Sequence, residues 1–142
     1  MQTCMTAHAG SIAKAMPPVN VLVVSSFPRD HSQLRSILPA PALHVDCVSC
    51  GRDALRYLWR NQVALLICDE TLPDGTWPEL LEETSFLEPR PAFIIAGEAA
   101  GGWLGCGPND AGWIAKPYRR EQVLAAAMAR VGSEVYGWPV CG

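Results

Sequence analysis

Histidine is scarce in this chain, its basic residues are scattered, and it has no long hydrophobic run. Each shortage removes a class of function. With three histidines in 142 residues, none falls at ligand spacing near the Cys47-Val48-Ser49-Cys50 pair, and no second C-x-x-C follows at finger-like spacing. A zinc or dithiol redox site therefore has little footing. The net charge of −3 comes without a cluster of Lys and Arg, which argues against nucleic acid or an anionic membrane as a partner. No apolar stretch approaches the roughly 20 residues needed to cross a bilayer. Residues 1–18 hold one lysine and no continuous apolar core, so they do not read as a secretory signal. The six cysteines do not look like a disulfide framework either, since Cys68 lies in the most buried-looking strand and Cys4 and Cys141 are in the tails. Reduced thiols in the cytoplasm are the simpler expectation.

What is present suits one globular domain. Nearly half the residues are apolar and 18% are charged, a balance that favours a buried core over disorder. We expect a loose tail over residues 1–18, a domain over 19–135, and a short tail over 136–142 with no effector domain after it. Within the domain, short β-branched or apolar runs alternate with amphipathic segments. Val21–Val24, His44–Ser49, Val63–Cys68, Phe93–Ala96 and Trp113–Ala115 read as five strands. The first helix starts at Pro28, where proline suits a first turn, and Pro39-Ala40-Pro41 stops it. A second opens at Gly51. The third is launched by Thr76-Trp77-Pro78-Glu79, which has capping-box spacing, and the last carries Leu124, Ala127, Met128 and Val131 on one face. Right-handed crossovers then imply a mostly parallel sheet. Between the fourth and fifth strands, Glu98–Asp110 contains four glycines and a proline. At about 1 kcal/mol per interior glycine and about 3 for proline, a full helix is disfavoured, so the fourth of five helices should be short or disordered.

Two residues carry the functional argument. Asp69 closes the third strand, and Lys116-Pro117 closes the fifth. In open α/β sheets, ligand chemistry sits outside the carboxyl ends of the strands, so an acid and a lysine there face one crevice. With the element order, three local patterns resemble the receiver domain of bacterial response regulators, the CheY-like fold. They are Val45-x-x-Val48-x-x-Gly51-x-x-Ala54-Leu55, Asp69-x-x-Leu72-Pro73-Asp74-Gly75, and Lys116-Pro117. The resemblance covers about Val19 to Val135. It implies a flavodoxin-like three-layer α/β sandwich with a five-stranded parallel sheet in the order 2-1-3-4-5.

The resemblance also implies a mechanism and a set of roles. A histidine kinase passes a phosphoryl group to an aspartate, here Asp69. Mg²⁺ offsets the charge, in keeping with phosphoryl transfer being mostly positioning and electrostatics. Lys116 would pair with the phosphate, Ala96 stands where a hydroxyl would bond it, and Trp113 stands where an aromatic residue turns inward. The backbone carbonyl of Thr71 could still face a metal. Ser25 and Ser26, however, occupy the places of the acidic pair. At an effective dielectric near 20, one charge pair about 4 Å apart is worth on the order of 4 kcal/mol before desolvation. Losing such acids should weaken Mg²⁺ about tenfold to a thousandfold, so no resident metal or other cofactor is expected. Losing the hydroxyl at Ala96 removes a further bond worth roughly 1.5–3 kcal/mol.

These departures lead to a degenerate receiver, a non-enzymatic, cytoplasmic, phosphorylation-independent protein-interaction module. A receiver that accepts phosphate weakly on Asp69 is the alternative. Its partner is expected to be a histidine kinase or another signalling protein. Ser25 and Ser26 do not read as nucleophiles, because no histidine is placed to activate them. A flavodoxin-like cofactor loop is rejected because Ser25-Ser26-Phe27-Pro28-Arg29 lacks glycine. Arg29 and Asp30 read as first-turn charges, either of which could reach the emptied pocket. Asp69 is expected to have no carboxylate neighbour and to pair constitutively with Lys116. The last helix and the glycine-rich loop beside it are the expected partner face, and Trp103 the expected exposed tryptophan.

Overall fold

A computed structural model describes residues 19–40, 42–98 and 112–131. The tails and most of the glycine-rich Glu98–Asp110 segment, including Trp103, lie outside these. The described elements are β1 (Val19–Val24), α1 (Pro28–Ile37), β2 (Leu43–Val48), α2 (Gly51–Arg60) and β3 (Leu65–Asp69), then a hairpin of β4 (Thr71–Leu72) and β5 (Gly75–Thr76). They continue with α3 (Trp77–Glu83), β6 (Ala92–Gly97), β7 (Gly112–Ala115) and α4 (Arg120–Val131). The main sheet is parallel throughout in the order β2-β1-β3-β6-β7. Leaving out the two-residue hairpin strands, this is the expected 2-1-3-4-5 order. The hairpin itself was not legible in the sequence.

Side-chain alternation along the strands builds two cores. Val21, Val23, Leu65, Ile67, Ile94 and Ile114 face Leu34 of α1 and Val123 and Ala127 of α4. Leu22, Val24, Leu66, Cys68, Phe93 and Ile95 face Ala54 and Leu58 of α2 and Leu80 and Leu81 of α3. Asp69 continues the Leu65–Ile67 row, so its side chain belongs to the side that α1 covers. No helix among the described residues is long and apolar enough to cross a membrane.

Loop chemistry ties the carboxyl edge together. The Thr76–Glu79 capping box forms at the start of α3. Asp74 accepts bonds from the Gly51 N–H at 2.8 Å and the Arg52 N–H at 3.0 Å, capping α2 from the loop after β3. The Gly51 bond and then the Arg52 bond hold its carboxyl below the usual aspartate range. Asp74→Ala should cost about 0.5–1 kcal/mol at neutral pH, the lower part of the capping range because the site is exposed. A depressed carboxyl stabilises above its ordinary value and loses that contribution as pH falls through the folded one. Denaturant curves of the variant and the parent should therefore converge in acid.

Candidate functional site

The strand register sets the site. Val24 is level with Cys68, Asp69 with Ala96, and Gly97 with Ala115. Ser25, Asp69, Ala96 and Lys116 thus arrive at one edge, as the sequence predicts. Lys116 Nζ lies 2.7 Å from Asp69 Oδ1 and 2.5 Å from Asp30 Oδ2. Its side chain is 16% exposed, and those of Asp69 and Asp30 are 5% and 11% exposed. The ammonium thus bridges two buried carboxylates. Burial pulls the Lys116 ammonium down, but the bonds it donates to Asp30 and Asp69, with their charges, outweigh it and hold it above the usual lysine range.

The second carboxylate departs from the sequence reading. Asp69 was expected to have no acidic neighbour, yet Asp30 shares its lysine. Asp30 is the third residue of α1, where an acid is favoured by the helix dipole. The signal was there, because Asp30, Leu34 and Leu38 recur at four-residue spacing. An acid heading an apolar stripe points inward.

The two serines divide. Ser25 is buried and its Oγ donates to Asp30 Oδ2 at 3.1 Å while accepting from the Phe27 N–H at 3.1 Å. His31 Nε2 lies 2.7 Å from the Ser25 carbonyl, an oxygen that only accepts, so that nitrogen carries the proton. Ser26 instead lines an open pocket of about 440 Å³ with Thr71, Ala96, Asp69 and Lys116. Glu70 and Glu98 also line it, and Glu70 folds so closely over Gly97 that a Cβ there would collide with its carboxylate. Phe27 is exposed, with its ring centroid 5.1 Å from Lys116 Nζ. Ala96 is buried level with Asp69 and offers no donor. Trp113 is partly buried and packs against the α2–α3 core.

This donor set does not fit a resident Mg²⁺. The ion is held by one or two carboxylates together with phosphate and water, in octahedral order. Asp69 Oδ1 is already bonded to an ammonium that would repel a dication. Asp69 Oδ2 is buried with no hydrogen-bond partner among the described residues, and Ser26 adds only a hydroxyl. Among those residues no three His, Cys, Asp or Glu side chains converge as a cation site. The Cys47–Cys50 pair is free and partly buried, and Cys68 is a buried free thiol.

A parallel 2-1-3-4-5 sheet with an aspartate and a lysine facing each other at its carboxyl edge is the CheY-like receiver fold. Solved structures agree on that fold. A response regulator receiver protein from Sinorhizobium medicae superposes with a TM-score of 0.70 at 18% identity, covering 82% of this chain and 97% of that one. A CheY-like receiver domain from Methylobacillus flagellatus gives 0.69 at 18% identity, covering 79% and 98%. The chemotaxis response regulator CheY4 of Vibrio cholerae gives 0.68 at 17% identity, covering 79% and 98%. Neither protein-family models nor curated proteins give a match to the sequence.

Proposed function

We propose that this chain is a receiver of two-component, phosphorelay-type signal transduction that acts as a phosphorylation-independent protein-interaction module. The observation that carries the reading is the Asp30–Lys116–Asp69 bridge. In an active receiver, lysine meets charge brought by the phosphoryl group. Here its charge is already matched twice, and the aspartate oxygen it leaves free is shut off from solvent. On this reading the lysine is already engaged before any phosphoryl group arrives, so its charge does not bias a second state. On this reading the protein is non-enzymatic and cytoplasmic, holds no Mg²⁺ at physiological concentration, and signals by contact with a histidine kinase or another signalling protein.

One observation favours the weaker alternative, phosphate acceptance on Asp69. Its Oδ2 has no hydrogen-bond partner among the described residues, so a lone pair is unclaimed if the carboxylate turns that oxygen into the pocket. Beryllofluoride with Mg²⁺, followed by backbone amide NMR, separates the two. We expect no shifts around Asp69, Ala96 and Trp113, and full partner binding by Asp69→Asn. Saturable shifts that vanish in Asp69→Asn would replace the first reading with the second.

A further inference from the structure

The outer face of α4 shows mainly Ala125 and Ala129 with polar neighbours, whereas the large exposed apolar groups lie elsewhere. Trp59, 68% exposed at the end of α2, touches Phe86, 57% exposed just after α3, with ring centroids 5.1 Å apart. They stand on the face where α2 and α3 bound a groove of about 610 Å³ floored by Leu55, Leu72 and Leu80. Arg52 and Arg56 line the α2 wall, and Glu82 and Glu83 line the α3 wall. Among the described residues no ion pair crosses the groove; Arg56 makes a 4.0 Å contact with Asp53 of its own helix.

The two walls share a direction. Strands β2, β3 and β6 are parallel, so α2 and α3 both run back against them and point the same way. The order along one wall is Arg52, Arg56, Trp59, and along the other it is Thr76, Glu83, Phe86. Basic lies opposite acidic, and aromatic opposite aromatic. Such a surface complements itself when rotated about an axis running along the groove, since that rotation lays each α2 wall over the partner's α3 wall. A two-fold contact requires this self-complementarity, with residue i meeting j and j meeting i.

We propose that the α2–α3 face is the contact between two copies of this chain, with its two-fold axis along the groove. Arg56 of each copy meets Glu82 and Glu83 of the other, and each Trp59 packs on the other copy's Phe86. Exposed aromatic anchors flanked by matched charge are what interface centres and rims are made of. A foreign amphipathic helix would need only one of the two charge rows beside its apolar face, whereas a second copy uses both. The contact does not depend on the chemistry of Asp69.

Sedimentation of the full chain over a range of concentrations tests this. A dimer is expected that weakens with rising salt and is unchanged in Asp69→Asn, so its fate and that of the interaction-module reading are separable. Arg56→Glu alone and Glu83→Arg alone should each weaken dimerisation about tenfold or more, because like charges then face each other. The Arg56→Glu/Glu83→Arg double variant, and an equal mixture of the two single variants, should restore it. Trp59→Ser should abolish it while leaving the circular dichroism spectrum intact. A chain that stays monomeric, or a dimer indifferent to these charge reversals, overturns the proposal. So does a monomer whose α2–α3 amides shift with an added amphipathic helical peptide, which would assign the face to a foreign partner.

Discussion

Replacing Lys116 with methionine is expected to lower the unfolding free energy at neutral pH by about 3–5 kcal/mol, the usual cost of removing one partner from a buried ion pair. Methionine keeps most of the lysine stem's volume, so packing alone predicts a much smaller loss. The cost arises from what remains, since Asp30 and Asp69 are both nearly buried and, apart from the Ser25 hydroxyl on Asp30, depend on the one ammonium. The control is therefore Lys116→Met combined with Asp30→Asn and Asp69→Asn, which should recover much of the loss. Two pH trends follow. The single variant's deficit should narrow in acid, because a protonated carboxyl is cheaper to bury. In the parent protein Lys116 is held above the usual lysine range. Its contribution is complete below the ordinary value of about 10.5 and is lost as pH rises through the higher folded value. Urea denaturation of the three proteins across pH measures all of this. A Lys116→Met loss below about 1 kcal/mol, typical of an exposed pair, would mean that the bridge is not a buried one.

The sheet was legible because the strand runs are short, β-branched and separated by clear stops, and because both Asp69 and Lys116 sit at strand ends. Pairing of Asp69 with Lys116 followed from that placement together with the receiver resemblance, which put Ser25 and Ser26 where competing acids would stand. Asp30 was left as one of two first-turn charges that could reach the pocket, and its place beside Asp69 was not assigned. Only the assembled sheet reveals that α1 lies over the row Leu65, Ile67, Asp69. The separation of Ser25 from Ser26 was equally hidden, since adjacent residues leaving a strand diverge by the pleat, and sequence cannot tell which one turns into the open pocket. Trp59 sits near the end of a helix that already has Ala54 and Leu58 in the core, which leaves its indole outside.

That separation gives the second large expectation. Ser26→Asp should raise Mg²⁺ affinity about tenfold to a hundredfold, while Ser25→Asp should not raise it and should destabilise the fold. Position 26 lines the open pocket beside Asp69 and Thr71. A carboxylate there adds an acid to Asp69 in reach of a common point, bringing the site to the one or two carboxylates that the ion needs. A second charge interaction of a few kcal/mol before desolvation is enough for the stated gain. Position 25 behaves oppositely. Its hydroxyl donates to Asp30 Oδ2 in a buried setting, so an aspartate there removes a donor and sets like charges together, costing about 1–3 kcal/mol. Calorimetric Mg²⁺ titration and thermal melts of both variants, with Asp69→Asn added as a control, give the answer. If Ser25→Asp gains the metal and Ser26→Asp does not, the assignment of the two hydroxyls is reversed. If Ser26→Asp gains Mg²⁺ and the gain survives Asp69→Asn, the ion is binding elsewhere on the acidic rim formed by Glu70 and Glu98.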